Sequence, residues 1–200
     1  MKIYRIIAVT FLGILVHACA EDCQLEPATK DFDSDKYFSI PKVFAVYSQK
    51  GPSENVCREY ETKKNTDGTI VTTVYGDYKI GENSYHELTC TNTEKSDSKG
   101  QFDVECEFPK GTNITTKIQL ETSVLDTDNK KYVILQRCSK TGQDDIVVLQ
   151  TNKDRLEQEV ENYFDKKGWT FNQWVSTSCS KRSLFVCNTT ISSCPVLEHL

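Results

Sequence analysis

The stretch with the most chemical potential is Asn55-Val56-Cys57-Arg58-Glu59-Tyr60-Glu61-Thr62. As a β-strand it turns Val56, Arg58, Tyr60 and Thr62 one way and Cys57, Glu59 and Glu61 the other. Arg58 therefore shares a face with a valine and a tyrosine. If that face lines a cavity, the guanidinium is a bidentate receptor for a carboxylate. If it meets water, Arg58 is an ordinary surface arginine. What decides between them is the set of elements that close around this strand.

Catalytic chemistry finds little support. Beyond residue 20 there are two histidines, His86 and His199, and the chain has no G-x-S-x-G, P-loop or G-x-G-x-x-G. No nucleophile stands beside a base, so the chain is not expected to be an enzyme. C-x-x-C pairs and clustered histidines are also missing, so neither a structural metal nor a cofactor is expected.

Residues 1–20 read as a secretory signal. Lys2 and Arg5 precede the apolar run Ile6–Val16, which is too short to span a bilayer, and Ala18-Cys19-Ala20 is a small-residue cleavage site. Cleavage after Ala20 leaves 180 residues, room for one domain with a real core. Lys2 and Arg5 leave with the signal and no acid does, so 24 basic residues become 22 against 29 acidic, a net charge of −7. With no basic block, nucleic acid is not an expected partner; nor is a membrane, and the protein is expected to be secreted and monomeric. Eight cysteines remain, an even number that suits a disulfide framework in an exported chain. Cys90 and Cys106 flank a turn near Ser98 and can pair across a hairpin. Cys187 and Cys194 close a small loop. Cys23, Cys57, Cys138 and Cys179 admit three pairings. Asn113 and Asn188 head two N-glycosylation sequons.

Period-two patterning predicts strands at 42–48, 55–62, 69–79, 84–92, 102–108, 114–125, 132–139 and 145–151. They are separated by turn signals such as Asp67-Gly68, Pro109-Lys110-Gly111 and Thr141-Gly142. The clearest is Phe102, Val104, Cys106 and Phe108 alternating with Asp103, Glu105 and Glu107. Asp31–Phe38 is a polar lead-in with room for one turn. Leu156, Val160, Tyr163 and Phe164 give a helix one apolar face, and a second short helix is expected from Thr170, capped through Gln173. Eight evenly spaced strands and one late helix predict an all-β protein, an eight-stranded antiparallel up-and-down barrel with a C-terminal α-helix packed on its wall.

Asp33-Ser34-Asp35-Lys36-Tyr37-Phe38, Val56-Cys57-Arg58-Glu59-Tyr60, Lys99-Gly100-Gln101-Phe102, Val104-Glu105-Cys106-Glu107, Leu120-Glu121-Thr122-Ser123-Val124 and Val148-Leu149-Gln150-Thr151 resemble the salivary lipocalins of blood-feeding triatomine bugs. The similarity is to the pallidipin and triplatin branch of the triabin-like family, and it covers roughly Cys23–Cys179. The general lipocalin Gly-x-Trp is missing where Ile40-Pro41-Lys42-Val43-Phe44 stands, a departure this branch shares. The resemblance implies a lipocalin barrel over 21–179 followed by a disulfide-containing tail, 180–200. It also selects the pairings Cys23–Cys138 and Cys57–Cys179, each contributing about 2–4 kcal/mol by limiting the unfolded chain. The haem-binding nitrophorins, more distant in the family, hold iron through a histidine on the third strand. Here that position falls near Tyr75-Gly76-Asp77, and His86 lies on the next strand, so no haem is expected.

With Cys57 and Cys138 outward as staples, Val56, Arg58 and Tyr60 point inward, as do Leu135, Arg137 and Ser139 on the seventh strand. On the eighth, Ile146, Val148 and Gln150 are expected inward, with Val147 and Leu149 against the helix. A single bulge would invert any of these strands. An apolar tube holding arginine, a tyrosine hydroxyl and a glutamine amide suits a long amphiphile with a carboxylate at one end. Taken with the resemblance, this leads to the expectation of a scavenger of eicosanoids, thromboxane foremost, that blocks platelet aggregation. The alternatives are capture of another small mediator, ADP or a biogenic amine, or inhibition of a clotting protease through the outer surface.

Overall fold

The computed structural model describes residues 23–50, 58–80, 83–112, 114–140, 142 and 144–170, without the side chains of 77–80 and 83–85. Residues 1–20, Val56, Cys57, Asn113, Gln173, Cys179, Cys187, Asn188, Cys194 and the stretch 180–200 lie outside the described residues.

A one-turn helix α1 (Ser34–Tyr37), capped by the Asp33 carboxylate accepting from Lys36 N, leads into eight strands. These are β1 (Lys42–Ser48), β2 (Arg58–Lys64), β3 (Ile70–Ile80), β4 (Asn83–Glu94), β5 (Gln101–Glu107), β6 (Ile118–Thr127), β7 (Tyr132–Ser139) and β8 (Asp144–Gln150), followed by α2 (Gln158–Lys167). Each strand pairs antiparallel with the next and β1 pairs with β8, so the sheet is a closed eight-stranded barrel. Closure leaves no sheet edge, which suits a chain rich in β-branched and aromatic residues. The predicted strands are all present. β6 begins four residues later than expected, because Gly111 at φ 96° and the stretch after it extend the turn.

The β2–β3, β4–β5 and β6–β7 hairpins gather at the end where β1 begins. There Phe32, Phe38 and Phe102 pack edge to face, with Ile70, Val43 and Val124 around them, and close that end. The N-terminal segment crosses the outside of β5–β7. Glu26 O accepts from Gln101 Nε2 and Ser123 Oγ, Glu26 N donates to Gln136 Oε1, and the Cys23–Cys138 disulfide anchors the segment's start.

Helix α2 buries Val160 and Phe164 on the outer wall against Val46, Tyr47, Leu125, Tyr132, Ile134, Ile146 and Val148. It ends at Gly168, whose φ of 67° makes the left-handed cap. This corrects the expected facing of β8. Ile146 and Val148 meet the helix, while Val147 and Leu149 belong to the interior core with Phe38 and Val43. Antiparallel partners share a face, and β8 is registered as Cys138↔Asp144, Gln136↔Ile146 and Ile134↔Val148. With Cys138 on the outside, Ile146, Val148 and Gln150 must follow it there. The run Ile146–Leu149 is apolar at every position and carries no alternation from which to read its facing.

Candidate functional site

A cavity of about 230 Å³ occupies the barrel. Its apolar wall includes Val74, Leu88, Val104, Leu120 and Leu135, and the Cys90–Cys106 disulfide also borders it. Those cysteines are direct cross-strand partners, as their spacing about one hairpin suggested, but they point into the cavity.

Of the residues the sequence singled out for ligand contact, Arg58, Tyr60, Leu135 and Arg137 line this cavity. Arg58 and Tyr60 get there by strand alternation. The register Val43↔Tyr60 and Phe44↔Glu59 keeps Tyr60 beside inward Val43 and turns Glu59 out. Arg58 begins β2 and Arg137 lies near the end of β7, so both stand toward the end of the barrel opposite α1. The Arg58 Nε is fully buried. Arg137 Nη2 is 2.7 Å from Asp145 Oδ2, and the same carboxylate accepts from Ser48 Oγ at 2.6 Å and Lys50 N at 3.0 Å. The Arg137 charge is thus compensated within the wall. Asp145 had no role in the sequence reading; the missing signal was the β7–β8 register, which places it directly across from Arg137.

Three expected contacts are corrected. Ile146 and Val148 lie beneath α2, outside the cavity. Gln150 is wholly buried, but its Nε2 donates to Asn152 O and Arg155 O and its Oε1 accepts from Glu157 N. Its amide therefore organises the connection from β8 to α2 and does not face the cavity. His86 is exposed and is not among the lining residues. Among the described residues no three His, Cys, Asp or Glu side chains come together as a metal site, and no helix is long and apolar enough to cross a membrane.

Further polar groups line the cavity toward the closed end. Thr62 Oγ1 and Thr72 Oγ1 are 2.9 Å apart, and Asn92 Nδ2 donates to Thr72 Oγ1 at 3.0 Å. Tyr37, from α1, joins them in the lining. Its hydroxyl is pushed well above the usual tyrosine range, first by burial and then by neighbouring Tyr60. Thr62 was legible as a companion of Arg58; Tyr37, Thr72 and Asn92 come from other elements and had no local signal.

Comparison with known proteins accords with this architecture. The family model described as Triabin matches residues 17–164. Pallidipin of Meccus pallidipennis is 51% identical over 177 residues, covering 86% of this chain and 94% of that one. Platelet inhibitor triplatin-2 of Triatoma infestans is 47% identical over 177 residues, covering 86% and 95%. Among solved structures, LTBP1 in complex with leukotriene C4 superposes with a TM-score of 0.59 at 16% identity, over 78% of this chain and 96% of that one. The tryptamine complex of the amine-binding protein of Rhodnius prolixus gives 0.55 at 15% identity, over 72% and 78%. At those identities the structures speak for the fold alone, whereas the family match and the two close relatives cover most of the chain. The chain belongs to the triabin family, built on a lipocalin-type barrel.

Proposed function

We propose that this protein is a secreted scavenger of eicosanoids, thromboxane foremost, that inhibits platelet aggregation by removing its ligand from solution. The observation that carries this reading is the apolar cavity inside the barrel, with Arg58 among its lining residues. A carboxylate leaving water loses hydration worth several kcal/mol and must meet a cation or protonate. An arginine remains charged at any working pH and offers two parallel donors. The hydrocarbon chain would add about 0.8 kcal/mol per buried CH₂ before ordering costs. Two relations support the biological half: a relative at 47% identity is named a platelet inhibitor, and a structure of the same fold was solved with leukotriene C4. Export rests on the signal-like residues 1–20.

An amine ligand is less well served. It needs a carboxylate to meet it, and Asp145 is already held by Arg137, Ser48 and a backbone N–H. Calorimetric titration with a stable thromboxane analogue tests the proposal. Arg58→Ala is expected to weaken binding by about 2–4 kcal/mol, the cost of leaving a buried carboxylate unpaired. Arg58→Lys recovers only part, because a point charge lacks the fork. Lys63→Ala, on the exposed outer face of β2, is the control; Glu59 is unsuitable, being buried and ion-paired to Lys42. Unchanged affinity in Arg58→Ala removes the anchor. Absence of eicosanoid binding in the wild type turns attention to a protein partner.

A further inference from the structure

The cavity is polar at both ends. Arg58 and Thr62 lie on one strand and both line it; four residues of strand separate them by about 13 Å. Between and around them are Val74, Leu88, Leu120 and Leu135, with Tyr60 midway along the strand. At the Thr62 end stand Tyr37, Thr72 and Asn92.

The hydrogen bookkeeping at that end leaves donors over. Thr62 and Thr72 share one hydrogen bond, which uses one of their two hydroxyl protons whichever residue donates. Asn92 Nδ2 donates to both Thr72 Oγ1 and Ile70 O, so Asn92 takes up none of the remaining hydroxyl proton and offers a ligand hydroxyl its Oδ1 as acceptor. The half-buried Tyr37 lines the cavity, and its hydroxyl bonds to none of the described residues, so it is available to a ligand there. Tyr37 is held in place by ring contacts to Phe32 and Phe38, 5.6 and 4.8 Å between centroids, so its position is set by the aromatic plug. These donors are neutral. They suit a hydroxyl, ether or carbonyl oxygen better than an anion, whose natural place is Arg58.

We propose that Tyr37, Thr62, Thr72 and Asn92 form a second, neutral subsite that binds an oxygen remote from the ligand's carboxylate, so that the protein prefers a hydroxylated long-chain acid over the same acid without the hydroxyl. This rests on the eicosanoid reading above and narrows it: the ligand must carry two polar groups separated by an apolar stretch comparable to four residues of strand. A compact one-ring amine does not bridge them.

The test titrates two probes, a twenty-carbon polyunsaturated fatty acid and the same acid with one hydroxyl near its methyl end. The proteins are wild type, Tyr37→Phe and Thr72→Val, with near-ultraviolet circular dichroism to verify each fold. The wild type is expected to bind the hydroxylated acid about fivefold to tenfold more tightly, the worth of one net hydrogen bond. Both variants should bring the two acids to within about twofold of each other by weakening only the hydroxylated one. Equal wild-type affinities overturn the subsite and leave scavenging of long-chain acids standing. A preference that survives both substitutions shows that other residues read the oxygen and overturns this assignment. If the wild type binds the thromboxane analogue but neither acid, the subsite as drawn here falls alone; if it binds none of the three, the eicosanoid reading falls and the subsite with it.

Discussion

Asp128, in the turn between β6 and β7, shows how a single side chain holds the closed end together. Its Oδ1 accepts from the backbone N–H of Lys130 at 2.9 Å, Lys131 at 2.7 Å and Tyr132 at 3.3 Å. Partial burial by itself would raise its pKa, but the N–H groups of Lys131, Lys130 and Tyr132 outweigh it and hold the carboxyl below the usual aspartate range. Next to it Asn129, at φ 57°, accepts from Asp33 N and donates to Asp31 O, so the same turn fastens the lead-in to α1. A depressed folded-state pKa contributes stability above the unfolded value of about 4 and loses it as pH falls through the folded value. Asp128→Ala is therefore expected to cost about 1 kcal/mol at neutral pH, after allowance for partial exposure. The gap from wild type should close in strong acid. Urea unfolding at neutral and acid pH measures it, and a gap independent of pH would assign the effect to something other than the charged carboxylate.

At the scale of elements, hairpins and wall contacts divide the work. Gly68 and Gly100 sit in the β2–β3 and β4–β5 turns at φ 86° and 82°, a region that side chains rarely enter. Their surroundings differ. A Cβ at Gly68 would meet nothing within 4 Å, whereas one at Gly100 would lie 2.8 Å from Ala28 Cβ and 3.3 Å from the Phe32 ring. Gly68→Ala should thus cost about 1 kcal/mol of backbone strain. Gly100→Ala should cost clearly more, because the N-terminal segment and the aromatic plug must both move. Thermal unfolding of the pair gives the ordering, and equal losses would mean that the segment over Gly100 yields freely. The β8-to-α2 connection is the counterpart on the wall: Gln150 supplies from a buried amide the hydrogen bonds that this loop does not make for itself.

Across the whole molecule, covalent ties brace the barrel unequally. Cys23–Cys138 closes 115 residues of chain and Cys90–Cys106 only 16. Loop-closure entropy assigns about 4.7 kcal/mol to a loop of 100 residues and about 3 to one of 15. The short loop's residues are also already paired in β4–β5, whereas the N-terminal segment depends on its bridge and a few hydrogen bonds, with Glu26–Lys167 linking it to α2 at 3.0 Å. Replacing Cys23 and Cys138 with Ala is expected to lower stability by about 2–5 kcal/mol while leaving ligand affinity near wild type. The Cys90/Cys106 double Ala variant should cost less stability but change affinity, because those sulfurs border the cavity. Guanidinium unfolding and ligand titration separate the two effects; the reverse ordering would place the ligand's environment at the N-terminal segment.

Much of this was readable from local pattern. Alternation and turn residues located every strand, the spacing of Val160 and Phe164 identified the helix, and the symmetric placing of Cys90 and Cys106 identified a hairpin pair. Alternation put Arg58 with Tyr60 and Leu135 with Arg137 on common faces, and the staple placing of Cys57 and Cys138 that came with the family resemblance said which face was inward. Ser139, expected inward with them, is not among the lining residues, and Val56 and Cys57 lie outside the described residues. Those inferences hold because they depend on periodicity within one element, which the backbone imposes on any sequence. The facing of β8 was not legible, since Ile146–Leu149 is apolar on both sides and only its register with β7 says which side is in. The bond of Asp145 to Arg137, the removal of Gln150 to the α2 connection, and the meeting of Tyr37, Thr62, Thr72 and Asn92 at one end of the cavity all join residues from separate elements. Those juxtapositions exist only once the barrel closes, for closure sets which strands are neighbours and how far each has slid past the next.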